Sequence, residues 1–326
     1  MSRRILTASL SLLLLAPLSA RAGERFRFPV AASSKVLGYA PLWVADKKGF
    51  FEREGLDVEI TLTHGTSPSL RALVAASVHA ALAGNDGVIA LVEKGVEDLA
   101  IIASGSKSTH MIIGKSHIKN FADLRGAMIG ASTLTSGTAF LLRQVLKAHG
   151  LQYPRDYSLV DVGGSGPSLI AISSSNVAAG ILSVPLNFRA QQLGLSVIGK
   201  VTDVFPNYLL SGFAVRRRWA QEHRLEVVKF LKGLLSARRW LEENRADGAA
   251  LLAKELKLKP ELARQGLDYY LDHGAWEADL DINLDGLRAV IGVYQEQAQA
   301  RGPLAKPESY IERGYLQAAL KKLGRQ

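Results

Sequence analysis

Cysteine is absent from all 326 residues of the sequence. This absence excludes disulfide frameworks, thiolate catalysis, cysteine-based zinc sites and a lipid anchor on cysteine. Long basic tracts are missing too, although the formal net charge is +10, so we expect no nucleic-acid partner. Charged residues at 21% and hydrophobic residues at 48% are typical of a globular chain, and its length favours two lobes over one small module.

The N-terminal segment has the pattern of an export signal. Two arginines precede an apolar stretch from Ile5 to about Leu18, and small residues follow at Ala20 and Ala22. A retained membrane anchor is the disfavoured alternative, because the apolar stretch is shorter than the roughly 20 residues that cross a bilayer. We predict a signal peptide over residues 1–22, cleavage between Ala22 and Gly23, and a periplasmic location for the rest of the chain.

Short apolar strands alternate with amphipathic helices through the remaining sequence. Strict alternation predicts a strand over residues 56–62, and a helix that opens on proline is predicted before it, over residues 41–54. The same order continues through residues 26–104 and repeats over 111–201. It predicts an α/β fold of two lobes, each a mainly parallel sheet with flanking helices. Residues 208–215 predict a strand that returns to the first lobe, and the C-terminal part beyond it is helical.

The predicted order of elements also gives lobe boundaries. We assign residues 23–110 and 208–326 to lobe 1, which includes the C-terminal helices, and residues 111–207 to lobe 2. Two connections, near residues 108–115 and 205–212, then form a double crossover, which is typical of a hinge. A ligand between such lobes lies at the carboxyl ends of the strands, where helix N-termini and loop amides converge.

Two adjoining stretches, Tyr39–Ala45 and Lys48–Val58, carry a resemblance to a known family. They resemble the opening of the substrate-binding proteins of ABC importers for nitrate, taurine, aliphatic sulfonates and thiamine precursors, with a short helix, Gly-Phe-Phe, an acidic turn and Gly-Leu-Asp-Val. Residues 121–126 resemble the second-lobe entry of that family, and Trp219–Trp240 resembles its C-terminal helices.

The resemblance implies a periplasmic binding protein of the second structural type (type II). It implies a monomer that binds a small anionic or polar solute and delivers it to the permease and ATPase subunits of an importer. It implies neither a cofactor nor enzymatic activity.

The sequence departs from the family pattern at two turns. Family members commonly carry Gly-x-Val-Asp after the helix that precedes an inner strand. Here the two copies read Ala76-Ser77-Val78-His79 and Ser175-Asn176-Val177-Ala178, without the glycine and the aspartate. We expect local turn detail to differ there while the order of elements is kept.

Candidate ligand-binding residues lie at predicted helix starts and strand ends. Hydroxyl groups at a helix start, beside free backbone N–H groups, suit an anion, although ordinary helix capping is the alternative. Asn85 can donate and accept, with an Asx turn as the alternative. Tyr39 can stack on an aromatic ligand. The complete predicted ligand-binding set is Tyr39, Thr66, Ser67, Asn85, Thr135, Ser136, Gly137, Thr138, Ser165, Ser183, Pro185 and Asn187.

Enzyme motifs fail when they are tested against the sequence. Ser104-Gly105-Ser106-Lys107 matches Ser-x-x-Lys, but it follows a predicted strand, and neither Lys-Thr-Gly nor Ser-Asp-Asn occurs. Pro167 stands where a Gly-x-Ser-x-Gly motif around Ser165 needs glycine. The histidines are scattered without metal-ligand spacing, so we predict no metal site. A ligand-sensing subunit of a membrane receptor is the alternative function, and the identity of the solute stays open.

Overall fold

Five strands form the first sheet of the computed structural model, which describes residues 25–134, 136–299 and 303–324. The predicted signal peptide and Thr135 lie outside these residues. The strands are β1 (Phe26–Ala32), β2 (Leu56–Leu62), β3 (Ala80–Gly84), β4 (Leu99–Ser106) and β10 (Ser211–Arg216). Their order across the sheet is β2, β1, β3, β10, β4. β1 runs parallel to β2 and β3, whereas β10 lies antiparallel between β3 and β4.

The intervening part of the chain forms the second five-stranded sheet. Its strands are β5 (Met111–Gly114), β6 (Met128–Ala131), β7 (Ser158–Asp161), β8 (Ala179–Leu182) and β9 (Ser196–Lys200), in the order β7, β6, β8, β5, β9. β6 is parallel to β7 and β8, and β5 is antiparallel to β8 and β9. The predicted two-lobed α/β fold is therefore confirmed. Both sheets are mixed, because the strands next to the connections between sheets, β5 and β10, run against their neighbours.

Helices flank both sheets, and the C-terminal part is helical as the sequence predicts. The first sheet is followed in sequence or covered by α1 (Ala40–Lys47), α2 (Phe50–Arg53), α3 (Thr66–Val74), α4 (Asn85–Glu93), α8 (Arg217–Glu222), α9 (Arg224–Glu243), α10 (Arg245–Leu256), α11 (Pro260–Asp272), α12 (Leu284–Ala298) and α13 (Gly314–Lys322). The second sheet carries α5 (Gly137–Ala148), α6 (Ser165–Ser173) and α7 (Leu186–Gln192). Within the described ranges, no helix is both long and apolar enough to cross a membrane.

The single helix predicted over residues 41–54 is wrong, because the chain forms α1 and α2 with a break between them. Gly49 adopts φ of 68°, a left-handed conformation that ends one helix and redirects the chain into the next. The break lets Phe51 stack on Phe230 of α9, with ring centroids 5.1 Å apart, while Phe28 of β1 stacks on the same ring at 4.7 Å. This aromatic stack joins the N-terminal helices, the first sheet and the C-terminal helices into one core.

The two turns that depart from the family pattern keep a left-handed backbone without glycine. Ala76 has φ of 61° and Ser175 has φ of 64°. After each helix the chain closes with the pair of backbone hydrogen bonds of a Schellman motif; after α3 these are Ser77 N to Ala72 O and Ala76 N to Leu73 O. The turn geometry is therefore retained, at the steric cost of a Cβ in the left-handed region.

Two helix pairs are examples of contact between helices of one sheet and helices of the other. α5 packs against α12, where the Nζ of Lys147 lies 2.5 Å from the Oε1 of Glu296. α7 packs against α11, where the rings of Phe188 and Tyr269 meet edge to face with centroids 5.8 Å apart. These contacts hold the strand ends of the two sheets close to each other.

Candidate functional site

Asp86 and Gly137 bring the two sheets together at their strand-end loops. Asp86 lies in the first turn of α4, just beyond β3, and Gly137 is the first residue of α5, beyond β6. A Cβ placed on Gly137 would lie 2.9 Å from the Cγ of Asp86 and overlap its Oδ2. The carboxylate of one lobe therefore fills the space that glycine leaves at the amino terminus of a helix in the other lobe.

Backbone groups hold the Asp86 carboxylate on its own side of the site. It folds back over Gly84, whose missing side chain makes room for it, and it faces the backbone N–H groups of Asp86 and Gly87. Burial raises the pKa of Asp86 above its ordinary value, and these backbone donors act in the opposite direction. No Lys, Arg or His of the described residues forms an ion pair with this carboxylate.

Buried tyrosines surround the same place. The Tyr39 hydroxyl lies 2.7 Å from Ser33 Oγ, at the end of β1, and burial raises the pKa of Tyr39 to about 12. Burial also raises the pKa of Tyr208 well above its ordinary value, and the negative charge of Asp86 adds to the shift for both phenols. Tyr270 of α11 contacts the Thr109 hydroxyl at 3.2 Å. These phenols therefore stay protonated at neutral pH and line a weakly solvated region.

The predicted helix-start residues of lobe 2 cap α5. Ser136 Oγ accepts a hydrogen bond from Ala139 N at 3.1 Å and lies 2.7 Å from Ser132 Oγ. Thr138 follows in the first turn and is partly exposed. Ser136 thus satisfies one free amide of this helix, and a ligand contact at its other first-turn amides stays a prediction.

The corresponding helix start in lobe 1 is tied to the neighbouring strand. Thr66 Oγ1 accepts a hydrogen bond from Gly84 N at 3.1 Å, which connects the start of α3 to the end of β3. Ser67 is exposed beside it. Thr66 thus positions the loop that carries Asp86.

A second pair of predicted residues links two strand ends in lobe 2. Ser165 Oγ accepts a hydrogen bond from Ser183 N at 3.1 Å, and the two hydroxyl oxygens lie 3.2 Å apart. Pro185, just before α7, faces Gly266 of α11, where an added Cβ would come within 3.1 Å of the proline Cβ. This side of lobe 2 therefore also lies against lobe 1.

Both predicted asparagines are fully buried and bonded to protein groups. Asn85 donates through Nδ2 to Leu209 O at 2.8 Å, beneath β10. Asn187 donates through Nδ2 to the Met111 sulfur at 2.9 Å, and its Oδ1 accepts from Phe188 N. Their amide nitrogens are engaged inside the lobes, so a ligand contact by either stays a prediction.

Basic side chains near the strand ends are paired with acidic ones. Lys35, three residues beyond β1, lies 2.8 Å from Glu255, and Lys107, just after β4, lies 2.9 Å from Glu277. In the ranges that the structure describes, no group of three His, Asp or Glu side chains is arranged to hold a metal ion. The lysines at these two strand ends are thus neutralised by acidic neighbours.

Sequence reasoning missed Asp86 and Tyr208. The signal for Asp86 was its place beside Asn85 at the start of a helix that follows a strand. Nothing in the sequence tells which of the two side chains faces the other lobe. Tyr208 precedes the returning strand β10, and only the path of that connection brings it near Asp86.

Comparisons with known proteins identify relatives of the chain. A Haemophilus influenzae protein whose name links it to thiamine biosynthesis is 32% identical over 163 residues, which are 48% of this chain and 49% of that protein. The chain matches at most about half the length of its curated relatives.

Solved structures share the fold over nearly the whole chain. The periplasmic nitrate-binding protein of Synechocystis PCC 6803 superposes with a TM-score of 0.73 and 15% identity, covering 92% of this chain and 89% of that one. The periplasmic aliphatic sulphonate-binding protein of Escherichia coli gives a TM-score of 0.69 and 19% identity, covering 88% and 97%. The sequence pattern of the NMT1-like family matches residues 33–256, and the chain therefore belongs to the NMT1-like family.

Proposed function

We propose that this protein is a periplasmic solute-binding component of an ABC importer, which captures a small solute between its lobes and presents it to the permease. The observation that carries the proposal is the meeting of Asp86 and Gly137, because it places strand-end loops of both lobes against one another. Ligands of open α/β sheets bind at the carboxyl ends of strands, and a site shared by two lobes couples binding to closure.

Relatives and structural neighbours support this class of function. The names of the two structures compared above state that those proteins bind nitrate and aliphatic sulphonate in the periplasm. The periplasmic location of this chain, the predicted cleavage before Gly23 and the monomeric state are parts of the same proposal.

Closure between the lobes is the proposed mechanism. The predicted lobes, residues 23–110 with 208–326 and residues 111–207, are linked by two segments near 108–115 and 205–212. A solute that contacts both sets of strand-end loops stabilises the closed arrangement, and the permease then recognises the closed protein. The protein makes and breaks no bond in this mechanism, so its output is a change in the population of closed molecules.

A thermal-shift screen tests the proposal. Protein recovered after expression of the 326-residue chain is heated with nitrate, taurine, ethanesulfonate, benzoate or an aminopyrimidine. A solute that binds only the folded protein at 100 times its Kd adds about 2.7 kcal/mol of stability, so Tm rises with solute concentration. A saturable rise for one class supports solute capture, whereas chemical turnover of the solute during incubation contradicts it.

The alternative function is a ligand-sensing subunit of a membrane receptor. It uses the same cleft and the same closure, so solute binding alone does not separate the two. Stimulation of ATP hydrolysis by a reconstituted permease and ATPase pair, dependent on solute and on this protein, supports the transport function.

A further inference from the structure

The carboxylate of Asp86 occupies a position where the sequence predicts an anionic ligand group. It lies between Gly84 of its own lobe and Gly137 of the other lobe, against the first turn of α5. On its own lobe it faces the backbone N–H groups of Asp86 and Gly87. The amino terminus of α5, which suits an anion by its orientation, therefore already faces a protein carboxylate.

The lysines nearest two of the strand ends offer no free counter-charge to a second anion. The basic side chains closest in sequence to the ends of β1 and β4, Lys35 and Lys107, are paired with Glu255 and Glu277. An anionic group bound at the start of α5 would lie beside the Asp86 carboxylate, and two like charges at such a distance repel strongly where water is scarce. A purely anionic solute binds only if Asp86 moves away or takes up a proton.

The surroundings instead favour a donor with positive charge. Tyr39 and Tyr208 are buried and keep their protons, so they add no second negative charge. The carboxylate is only partly exposed and lies near these buried phenols, and a charged hydrogen bond to a carboxylate is stronger in such a place than in bulk solvent.

We propose that Asp86 determines the specificity of the cleft and that the solute presents to it a cationic or strongly donating N–H group, such as an amine, an amidinium or an aminopyrimidine. This inference rests on the proposed solute-binding function. It disfavours solutes that carry only negative charge, such as nitrate and simple alkanesulfonates.

Matched pairs of probes test the inference. Each pair shares a frame and differs in the nitrogen group: taurine and ethanesulfonate, benzamidine and benzoate, an aminopyrimidine and the corresponding hydroxypyrimidine. Binding is measured by thermal shift and by calorimetric titration for the wild-type protein, Asp86→Asn and Asp247→Asn. Asp247 is the matched control, because it also lies in the first turn of a helix, α10, and is exposed, so its substitution changes the net charge identically.

The inference expects that at least one amine-bearing probe binds the wild-type protein at least tenfold more tightly than its partner, a difference of about 1.4 kcal/mol. Asp86→Asn abolishes this preference and keeps or raises the ligand-free Tm, while Asp247→Asn keeps the preference. Equal or tighter binding of the amine-free probes, or a preference that survives Asp86→Asn, overturns the inference and leaves solute binding intact. If neither nitrate nor any probe binds the wild-type protein, the proposed function fails, and the inference fails with it.

Discussion

Gly137→Ala tests the contact between the lobes. The added Cβ would lie 2.9 Å from the Cγ of Asp86, whereas carbon atoms in ordinary contact lie about 3.5–4.0 Å apart. Because the carboxylate Oδ2 lies nearer still, the lobes or the Asp86 side chain must separate by roughly 1 Å or more. Overpacking of this kind costs about 1–3 kcal/mol. Only the closed arrangement bears that cost, because the two residues belong to different predicted lobes.

We therefore expect Gly137→Ala to weaken solute binding by about 5- to 150-fold, while the ligand-free Tm stays the same or rises. Gly292→Ala is the matched control, since it adds the same methyl group to helix α12, where, apart from the helix's own nearby backbone, no atom of the described residues lies within 4 Å of the new Cβ. Affinity is measured by calorimetric titration with a solute from the thermal-shift screen.

A second substitution identifies the cause of the loss. In an Asp86→Ala background the overlap is absent, so adding Gly137→Ala changes affinity less than twofold. An equal loss of affinity in both backgrounds refutes the reasoning. A drop in ligand-free Tm that accounts for the loss refutes it too, because the overlap would then belong to the fold and not to closure.

Three further predictions concern stability. Ala76→Gly and Ser175→Gly each remove the steric strain of a Cβ in a left-handed backbone, so each should raise the free energy of unfolding by about 1 kcal/mol in urea titrations. The control Ala75→Gly, at φ of −73°, should lower it. A loss of stability on substitution of residues 76 and 175 would contradict the turn assignment. Burial lowers the pKa of His110 to about 4, so between pH 6.5 and pH 4 the unfolded chain binds a proton at this residue and the folded protein does not. The free energy of unfolding therefore falls as pH falls through this range. The loss, about 2 kcal/mol between pH 7 and pH 4.5, should be smaller in His110→Gln. Burial raises the pKa of Asp86, so the folded protein loses stability as pH rises through that pKa and the carboxyl ionises. The ligand-free Asp86→Asn variant should therefore match or exceed wild-type stability at pH 7, and the difference should vanish near pH 3. A lower stability of the variant at pH 7 would show that the charge is structural.

The order of elements could be predicted from the sequence because each strand and helix carries its own periodicity. Strand β2 matches its predicted bounds, since alternating burial along Leu56–Leu62 fixes a two-residue period. The break at Gly49 could not be predicted, because glycine is tolerated in helices and the left-handed conformation is set by how Phe51 packs on α9. The mixed character of the sheets depends on where β10 returns, which is a long-range property.

The candidate site was predictable only as a region. Strand ends and helix starts identify the loops, since parallel strands bring their carboxyl ends to one edge. Consecutive residues in the first turn of α4 are rotated by about 100° about the helix axis, and this rotation decides which side chain faces the other lobe. Asn85 therefore points beneath β10 towards Leu209, and Asp86 points towards Gly137.

Hydrogen exchange with and without a bound solute tests the central claim most directly, namely that the solute is held between the lobes. The account predicts slower exchange of backbone amides in residues 84–87 of lobe 1 and, at the same solute concentration, in residues 136–139 of lobe 2. Protection confined to one of these segments would contradict capture between the lobes. So would protection only at the surface depression near residues 46–53, which lies away from the strand ends.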